Sequence, residues 1–509
     1  MNMVTRRRPL AALACAAAGL LAALSCDTGR GSEDRAKAPG GPNVVLVSID
    51  TLRADRVNSY GYEARRTSPR LDALAREGIL FENHITAAPW TTPAHLSLLT
   101  SLDPSTHGMT QAFFEMYDGL FGGREFFKLP ERRVTLAEAL RGAGLRTAAF
   151  TGGGPLDPSL GFGQGFEEYH TSMFKLRERN VAEMLDWLGA HRDERFFLFW
   201  HHFEVHAPYL HTDFLSDVLP PAKAARLRAA TQKLTRAHAE DVWPGVVEVQ
   251  TSAQWTLLDE QKALTRDVCE ALYTGGVLAA DRWLGRLLDR LRELGLYEHT
   301  LIVVTSDHGD EMAERKAKNF YDVHGHSLYE EIVHVPLVIR LPEGRAAGTR
   351  VSGVSRTIDV MPTVLDVLGV PPANDEMQGR SLGPDWTGPG DAPERVAFTE
   401  ALAKPFEKKS LRTARYKYIL NVHENMVKRH GRSFLPDRPL RPQLFDLETD
   451  PGERTNLLVP RPDEGTKARA DSLDQALRQH VAGDRGEAEP TRLDESTMER
   501  LRALGYLER

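Results

Sequence analysis

A chain of 509 residues is longer than one ordinary hydrophobic core organises, so a large domain with a smaller companion is expected. Its formal net charge of −7 gives no basic field for general attraction to nucleic acid, and no long run of one sign occurs, which argues against a DNA or RNA partner. Of its three cysteines, Cys15 and Cys26 lie near the amino terminus and Cys269 has no evident partner, so an exported form would rely on its core and not on disulfides.

Residues 1–26 are laid out as an export signal: Arg6-Arg7-Arg8, an apolar run from Pro9 to Leu24, then Ser25-Cys26. The run is too short to span a bilayer comfortably, and export to the periplasm or cell envelope is the expectation. Thr5-Arg6-Arg7 is similar to the start of a twin-arginine signal. Ala23-Leu24-Ser25-Cys26 is similar to a lipobox with its leucine displaced by one, which makes Cys26 a candidate lipid anchor, with cleavage and release as the alternative. A membrane partner is expected only through that anchor. Residues 27–42 form a polar tether without apolar periodicity.

From Asn43 the pattern changes. Asn43 to Asp50 is a short, nearly continuous apolar run ending on an aspartate, as in a strand buried on both faces of a parallel sheet. Ser68 as cap, Pro69 in the first turn and Leu71, Leu74 and Ala75 on one face predict a helix that stops at Gly78. Further strand-like runs are Arg146 to Phe150, Phe196 to Trp200, Thr300 to Asp307 and Val335 to Leu341, the third of these also ending on an aspartate. A helix is expected over Ala279 to Leu294, with Gly295 as its stop. This alternation predicts an α/β layered catalytic domain over 43–374, with its site beyond the carboxyl ends of the strands. Residues 211–265, broken at Trp243-Pro244, are polar and helix-prone and are expected to be an insertion over one face. Residues 375–485 predict a smaller subdomain of short strands, and 486–509 a linker with a terminal helix from Leu493 to Leu507.

The chemistry gathers at three places. In Trp90-Thr91-Thr92-Pro93, Pro93 at the first helical position would make Thr92 the cap and put Thr91 just before it, where free N–H groups and the helix dipole favour negative charge. A hydroxyl there needs a base or a metal to become a nucleophile at neutral pH. Asp50, Asp307 and His308 can supply a metal site, with Thr91 as a further ligand. Two carboxylates, an imidazole and an alkoxide suit Zn²⁺ or Mn²⁺, and Ca²⁺ or Mg²⁺ less readily. Taken singly, Thr-Pro reads as a helix cap and Asp-His-Gly as a turn; their joint placement at strand ends and a helix start points to a site. His201 and His202 alternate on a strand, so at most one faces it. His206, past the strand end and before Pro208, is the better candidate, and His324 and His326 alternate as ligands or anion donors would, with surface histidines as the alternative.

These segments together resemble the sulfatase branch of the alkaline phosphatase superfamily. The resemblance is carried by "NVVLVSIDTLRADRV", "TTPAHLSLLTS", "HHFEVHAPY", "LIVVTSDHGDEMAE" and "HGHSLYEEIVHVPLVI", then by "TIDVMPTVLDVLG", "MQGRSL", "RTARYKYI" and "LFDLETDPGERTNL" in order. It implies a mostly parallel central sheet flanked by helices, a smaller C-terminal α+β subdomain, a divalent metal and hydrolysis of anionic esters. The departures matter. The family's C/S-x-P-x-R pattern, whose Cys or Ser is oxidised to formylglycine, holds Thr91, Pro93 and His95 here. Threonine carries a methyl on Cβ, so oxidation gives a ketone and never the aldehyde. The family's lysine-bearing sulfate cradle is replaced by Phe150-Thr151-Gly152-Gly153-Gly154, and the second aspartate of the first strand by Thr51. The remaining set resembles phosphatases and nucleotide pyrophosphatase/phosphodiesterases that use Ser or Thr directly. The expectation is therefore an exported, metal-dependent hydrolase of small-molecule, glycan or lipid anionic esters, with phosphate mono- or diesters preferred. Sulfate ester hydrolysis without formylglycine, phosphotransfer to a lipid or glycan, and a non-catalytic anion-binding homologue are the alternatives.

Overall fold

The structure is a computed structural model and describes residues 41–109, 126–171, 178–207, 209–239, 266–312, 314–315, 324–325, 327–387, 394–403, 406–424, 427–429, 432–434, 441–481 and 486–491. The expected signal with Cys26, the Trp243-Pro244 break, His326 and the terminal helix lie outside these residues.

The main sheet is built from β1 (Asn43–Ile49), β2 (Ile79–Ile85), β4 (Arg146–Thr151), β5 (Glu168–Thr171), β6 (Phe196–His202), β7 (Thr300–Thr305), β8 (His334–Arg340) and β9 (Thr349–Arg356), with β3 (Phe126–Lys128) lying outside it. Its order is β5-β4-β6-β1-β7-β8-β2-β9. All neighbours pair parallel except β8, which is antiparallel to both β7 and β2. The sheet is thus mostly parallel, as expected, but the run from Val335 enters it reversed. Continuous apolarity marks burial on both faces and carries no information on direction.

Alternation decides what each face meets. Val44 and Leu46 of β1, Ala149 of β4, Phe197 and Phe199 of β6, and Leu301 and Val303 of β7 share one core with Leu96, Leu98 and Leu99 of the helix Thr91–Thr100. The intervening residues Val45, Val47, Phe150, Leu198, Trp200, Ile302 and Val304 pack on the other side. There they meet Leu71 and Leu74 of α1 (Pro69–Arg76) and Leu284, Leu287, Leu288 and Leu291 of the long helix Arg266–Glu293.

Both helices differ from expectation in how they start. Ser68 precedes Pro69 as predicted, yet its hydroxyl donates to Asp72 Oδ1 at 3.1 Å and caps no N–H of α1. The free N–H groups of Arg70 and Leu71 are taken instead by the Asp281 carboxylate of the long helix, at 3.0 and 2.8 Å. The long helix begins at Arg266, well before Ala279. Gly275 and Gly276 weaken the local helical pattern, but they let Glu204, Val205 and His211 press against the helix: a Cβ on Gly275 would sit 2.7 Å from His211 O.

In the C-terminal region, β10 (Ala397–Ala403), β11 (Phe406–Arg412), β12 (Tyr416–Glu424) and Gln443–Asp446 form an antiparallel sheet. One face packs on the helix Glu464–Val481 through Leu411, Tyr418, Leu444 and Leu477, and the other meets Ile85, Leu328, Ile332 and Val333 of the large layer. Glu489–Thr491, read from sequence as part of a linker, pairs antiparallel with β3. Among the described residues no helix is long and apolar enough to cross a membrane.

Candidate metal centre

The face covered by the helix Thr91–Thr100, here α2, runs out of the core into polar residues at its carboxyl end. Continuing Val44 and Leu46 by twos reaches Ser48 and Asp50; continuing Leu301 and Val303 reaches Thr305 and Asp307; continuing Phe197 and Phe199 reaches His201. All five are buried. The amino end of α2 points into the same place, and the helix starts at Thr91, not at Pro93. Thr91 is therefore its first residue, and Trp90, without a side-chain cap, precedes it. Pro93 has no N–H and the Ala94 N–H goes to Trp90 O at 3.3 Å, so the N–H groups this end can offer an anion are those of Thr91 and Thr92.

Thr91 Oγ1 lies 3.4 Å from Asp50 Oδ2 and 3.4 Å from His308 Nε2. His308 Nε2 is 3.3 Å from Asp307 Oδ2, and ligand atoms of Asp50, Asp307 and His308 all fall within 4.8 Å of one another. Donors about 2.0–2.2 Å from one tetrahedral cation are about 3.3–3.6 Å apart, so these four groups have the spacing of a coordination shell. The polar accounting agrees. Asp50 Oδ1 and Asp307 Oδ2 are buried side-chain oxygens with no hydrogen-bond donor, which a fold tolerates where an ion satisfies them. The residues thus fit a divalent cation.

Neighbours tune each group. Burial and then the charge of Asp307 raise Asp50 well above the ordinary carboxylate range. Burial acts on Asp307 the same way but is outweighed by His308, His95 and the Thr51 N–H, which hold it below that range. Burial pushes His308 down to about 4, so its imidazole is neutral at neutral pH, as a metal ligand must be. Its Nδ1–H donates to Gly309 O at 2.9 Å, leaving Nε2 with a lone pair toward Thr91 and Asp307. Thr51 adopts the left-handed region at φ 59°, an unusual setting for a β-branched residue. In return its N–H reaches Asp307 Oδ1 at 3.2 Å, and its carbonyl accepts from Tyr273 Oη at 2.6 Å.

The histidines divide. His201, one of two left open by the sequence, is the one that faces the site, its Nε2 3.1 Å from Asp50 Oδ2, while His202 packs on the other face beside Trp200. His206 and His324 sit together with ring centroids 5.1 Å apart, and His324 lies 4.5 Å from His308. Asp310, passed over in the sequence, accepts from His324 Nδ1 at 2.6 Å and from Tyr209 Oη at 3.0 Å. Its position two residues after His308 was the available signal. His95 was noted only as filling an arginine slot, yet it lies fully inside the site, 3.5 Å from Asp307 Oδ2.

Residues 318–481 match the family model described as N-sulphoglucosamine sulphohydrolase, C-terminal. The multifunctional alkaline phosphatase superfamily protein PehA of Trinickia caryophylli is 26% identical over 499 residues, covering 82% of this chain and 91% of its own length. Arylsulfatase K of Bos taurus is 31% identical over 224 residues, covering 41% of this chain and 36% of that protein. Two solved structures share the fold. Phosphonate monoester hydrolase of Agrobacterium radiobacter superposes with a TM-score of 0.61 at 22% identity, covering 87% of this chain and 95% of its own. A protein solved with its substrate D-glucosamine-2-N,6-O-disulfate gives 0.63 at 20% identity, covering 86% and 97%. The family model described as Sulfatase takes in residues 42–370, and with them both aspartate-bearing strands and α2: the chain belongs to the sulfatase family of the alkaline phosphatase superfamily, whose members are sulfate and phosphate ester hydrolases.

Proposed function

We propose that this hydrolase attacks phosphate mono- or diesters directly with Thr91, without formylglycine. One observation carries the reading: the Thr91 hydroxyl sits at the amino end of α2, 3.4 Å from both Asp50 Oδ2 and His308 Nε2. A divalent cation held by Asp50, Asp307, His308 and Thr91, for which Zn²⁺ or Mn²⁺ suits the donor set, would lower the pKa of the hydroxyl and neutralise charge on the ester.

The chain's own groups then do the following. The Thr91 proton leaves along its hydrogen bond to Asp50, and Oγ1 forms a bond to phosphorus as the bond to the departing alkoxide breaks in line. The N–H groups of Thr91 and Thr92 at the start of α2 face the charge on the phosphoryl oxygens. His206 and His324 form the side of the site from which the leaving oxygen takes its proton. Water cleaves the phosphothreonine, giving one proton to the histidine pair while Asp50 returns its proton to Oγ1, and releases phosphate from a monoester or a phosphate monoester from a diester.

A panel of aryl phosphates, phosphonates and sulfates tests the reading. Thr91→Ala should abolish phosphate and phosphonate turnover and Thr91→Ser should retain it, with a phosphorylated Thr91 peptide trapped by acid quench and mass spectrometry. Unchanged turnover in Thr91→Ala rejects it. Sulfate ester hydrolysis is the second reading, supported by the solved relative bound to a disulfated glucosamine; turnover confined to aryl sulfates would select it. We also place the chain at the cell envelope, exported through residues 1–26 and anchored through Cys26; membrane release of a Cys26→Ala variant tests that.

A further inference from the structure

Behind the four prospective ligands lie two buried histidines that the proposed chemistry does not use. His201 Nδ1 receives the Gly152 N–H at 3.3 Å, so in the neutral ring the proton is on Nε2, which donates to Asp50 Oδ2 at 3.1 Å. His95 shows the opposite tautomer. Its Nδ1 faces Thr91 O at 2.9 Å, an oxygen that can only accept, with Asp307 Oδ2 at 3.5 Å on the same side. Its Nε2 then accepts from Ser48 Oγ at 2.9 Å. The two rings meet edge to face, centroids 4.8 Å apart and planes at 89°, so neither turns without displacing the other.

Each ring therefore gives its single N–H to the ligand set, the His201 tautomer being dictated by the Gly152 N–H and the His95 tautomer by the Thr91 carbonyl. Gly152 is part of the device: a Cβ there would lie 2.3 Å from the Phe203 ring, so only glycine brings this N–H to His201.

We propose that His95 and His201 act as a pair of positioning residues: His201 aims Asp50, and His95 fixes the first turn of α2 with Thr91, so that Asp50 and Thr91 converge on one cation. This rests on reading Asp50, Asp307 and His308 as cation ligands.

The two opposite tautomers supply the test, because an asparagine amide stands in for Nδ1 of histidine and a glutamine amide for Nε2. Zn²⁺ and, separately, Mn²⁺ affinity would be measured by competition with a chromophoric chelator, alongside the melting temperature of the cation-free protein. His201→Gln and His95→Asn keep the required donor and should bind within a few-fold of wild type. His201→Asn and His95→Gln misplace it and should bind about ten- to a hundredfold more weakly, and the two losses together should fall short of additive because the rings touch. Equal affinities within each Asn/Gln pair, with only the melting temperature changed, overturn the positioning role while leaving the metal centre standing. A wild-type protein that takes up neither cation overturns both.

Discussion

At the scale of single residues the site concentrates unfavourable features that a bound ion resolves. Asp50 and Asp307 are buried, face each other, and keep one unpartnered oxygen each. In cation-free protein that arrangement destabilises the fold, since an unsatisfied buried polar group costs about 1–3 kcal/mol. Asp50→Asn should consequently raise the stability of protein held in a chelator by on the order of 1–2 kcal/mol. It should also abolish the stabilisation that Zn²⁺ gives wild type. Urea denaturation with and without metal measures both, and a variant less stable than wild type in chelator would show that the carboxylates are not in conflict. The residues legible at this scale were those whose chemistry is local, namely Asp50, Thr91, Asp307 and His308. Asp310 and His95 were not, because each earns its place only through a partner far along the chain.

At the scale of elements, the turn that presents His308 is docked backbone to backbone. Gly309 N–H donates to Ile332 O at 2.7 Å, and a Cβ on Gly309 would lie 2.1 Å from Glu331 O. A backbone oxygen cannot rotate away. Gly309→Ala should therefore lose more than about 2 kcal/mol by chemical denaturation and weaken metal binding by moving His308. A second test concerns β12, whose buried Lys417 Nζ reaches Glu330 Oε1 and Glu453 Oε1 at 3.1 Å each. Burial, opposed by Lys417 and reinforced by the charge of Glu330, pushes Glu453 up to about 7 from an ordinary 4.5. A carboxyl raised on folding favours the native state below its unfolded pKa, and that contribution is lost as pH rises through its folded pKa. Glu453→Gln cannot ionise, so its stability relative to wild type should grow between pH 5 and pH 8, by on the order of 2 kcal/mol. Urea midpoints across that range check it; a flat difference would refute it.

At the scale of the whole molecule, a cation gathered from two strand ends and a helix start ties sequence-distant segments into one unit, so ligation and folding are linked. Removing the metal should lower the melting temperature, with a free-energy loss of about 4 kcal/mol where metal had stood a thousandfold above its Kd. Calorimetry before and after chelator dialysis, with Zn²⁺ or Mn²⁺ added back, measures this, and an unshifted transition would deny the linkage. The apolar runs and their terminal aspartates were readable from the chain alone, because burial on both faces and alternation by twos follow from local chemistry. So was the exclusion of an aldehyde at Thr91, which is covalent. Which side of the sheet α2 covers, and hence whether His201 or His202 stands at Asp50, depended on tertiary packing, as did the reversal of β8 and the capping of α1 by Asp281. Local periodicity says that two faces exist; only contacts between distant segments decide what each face meets.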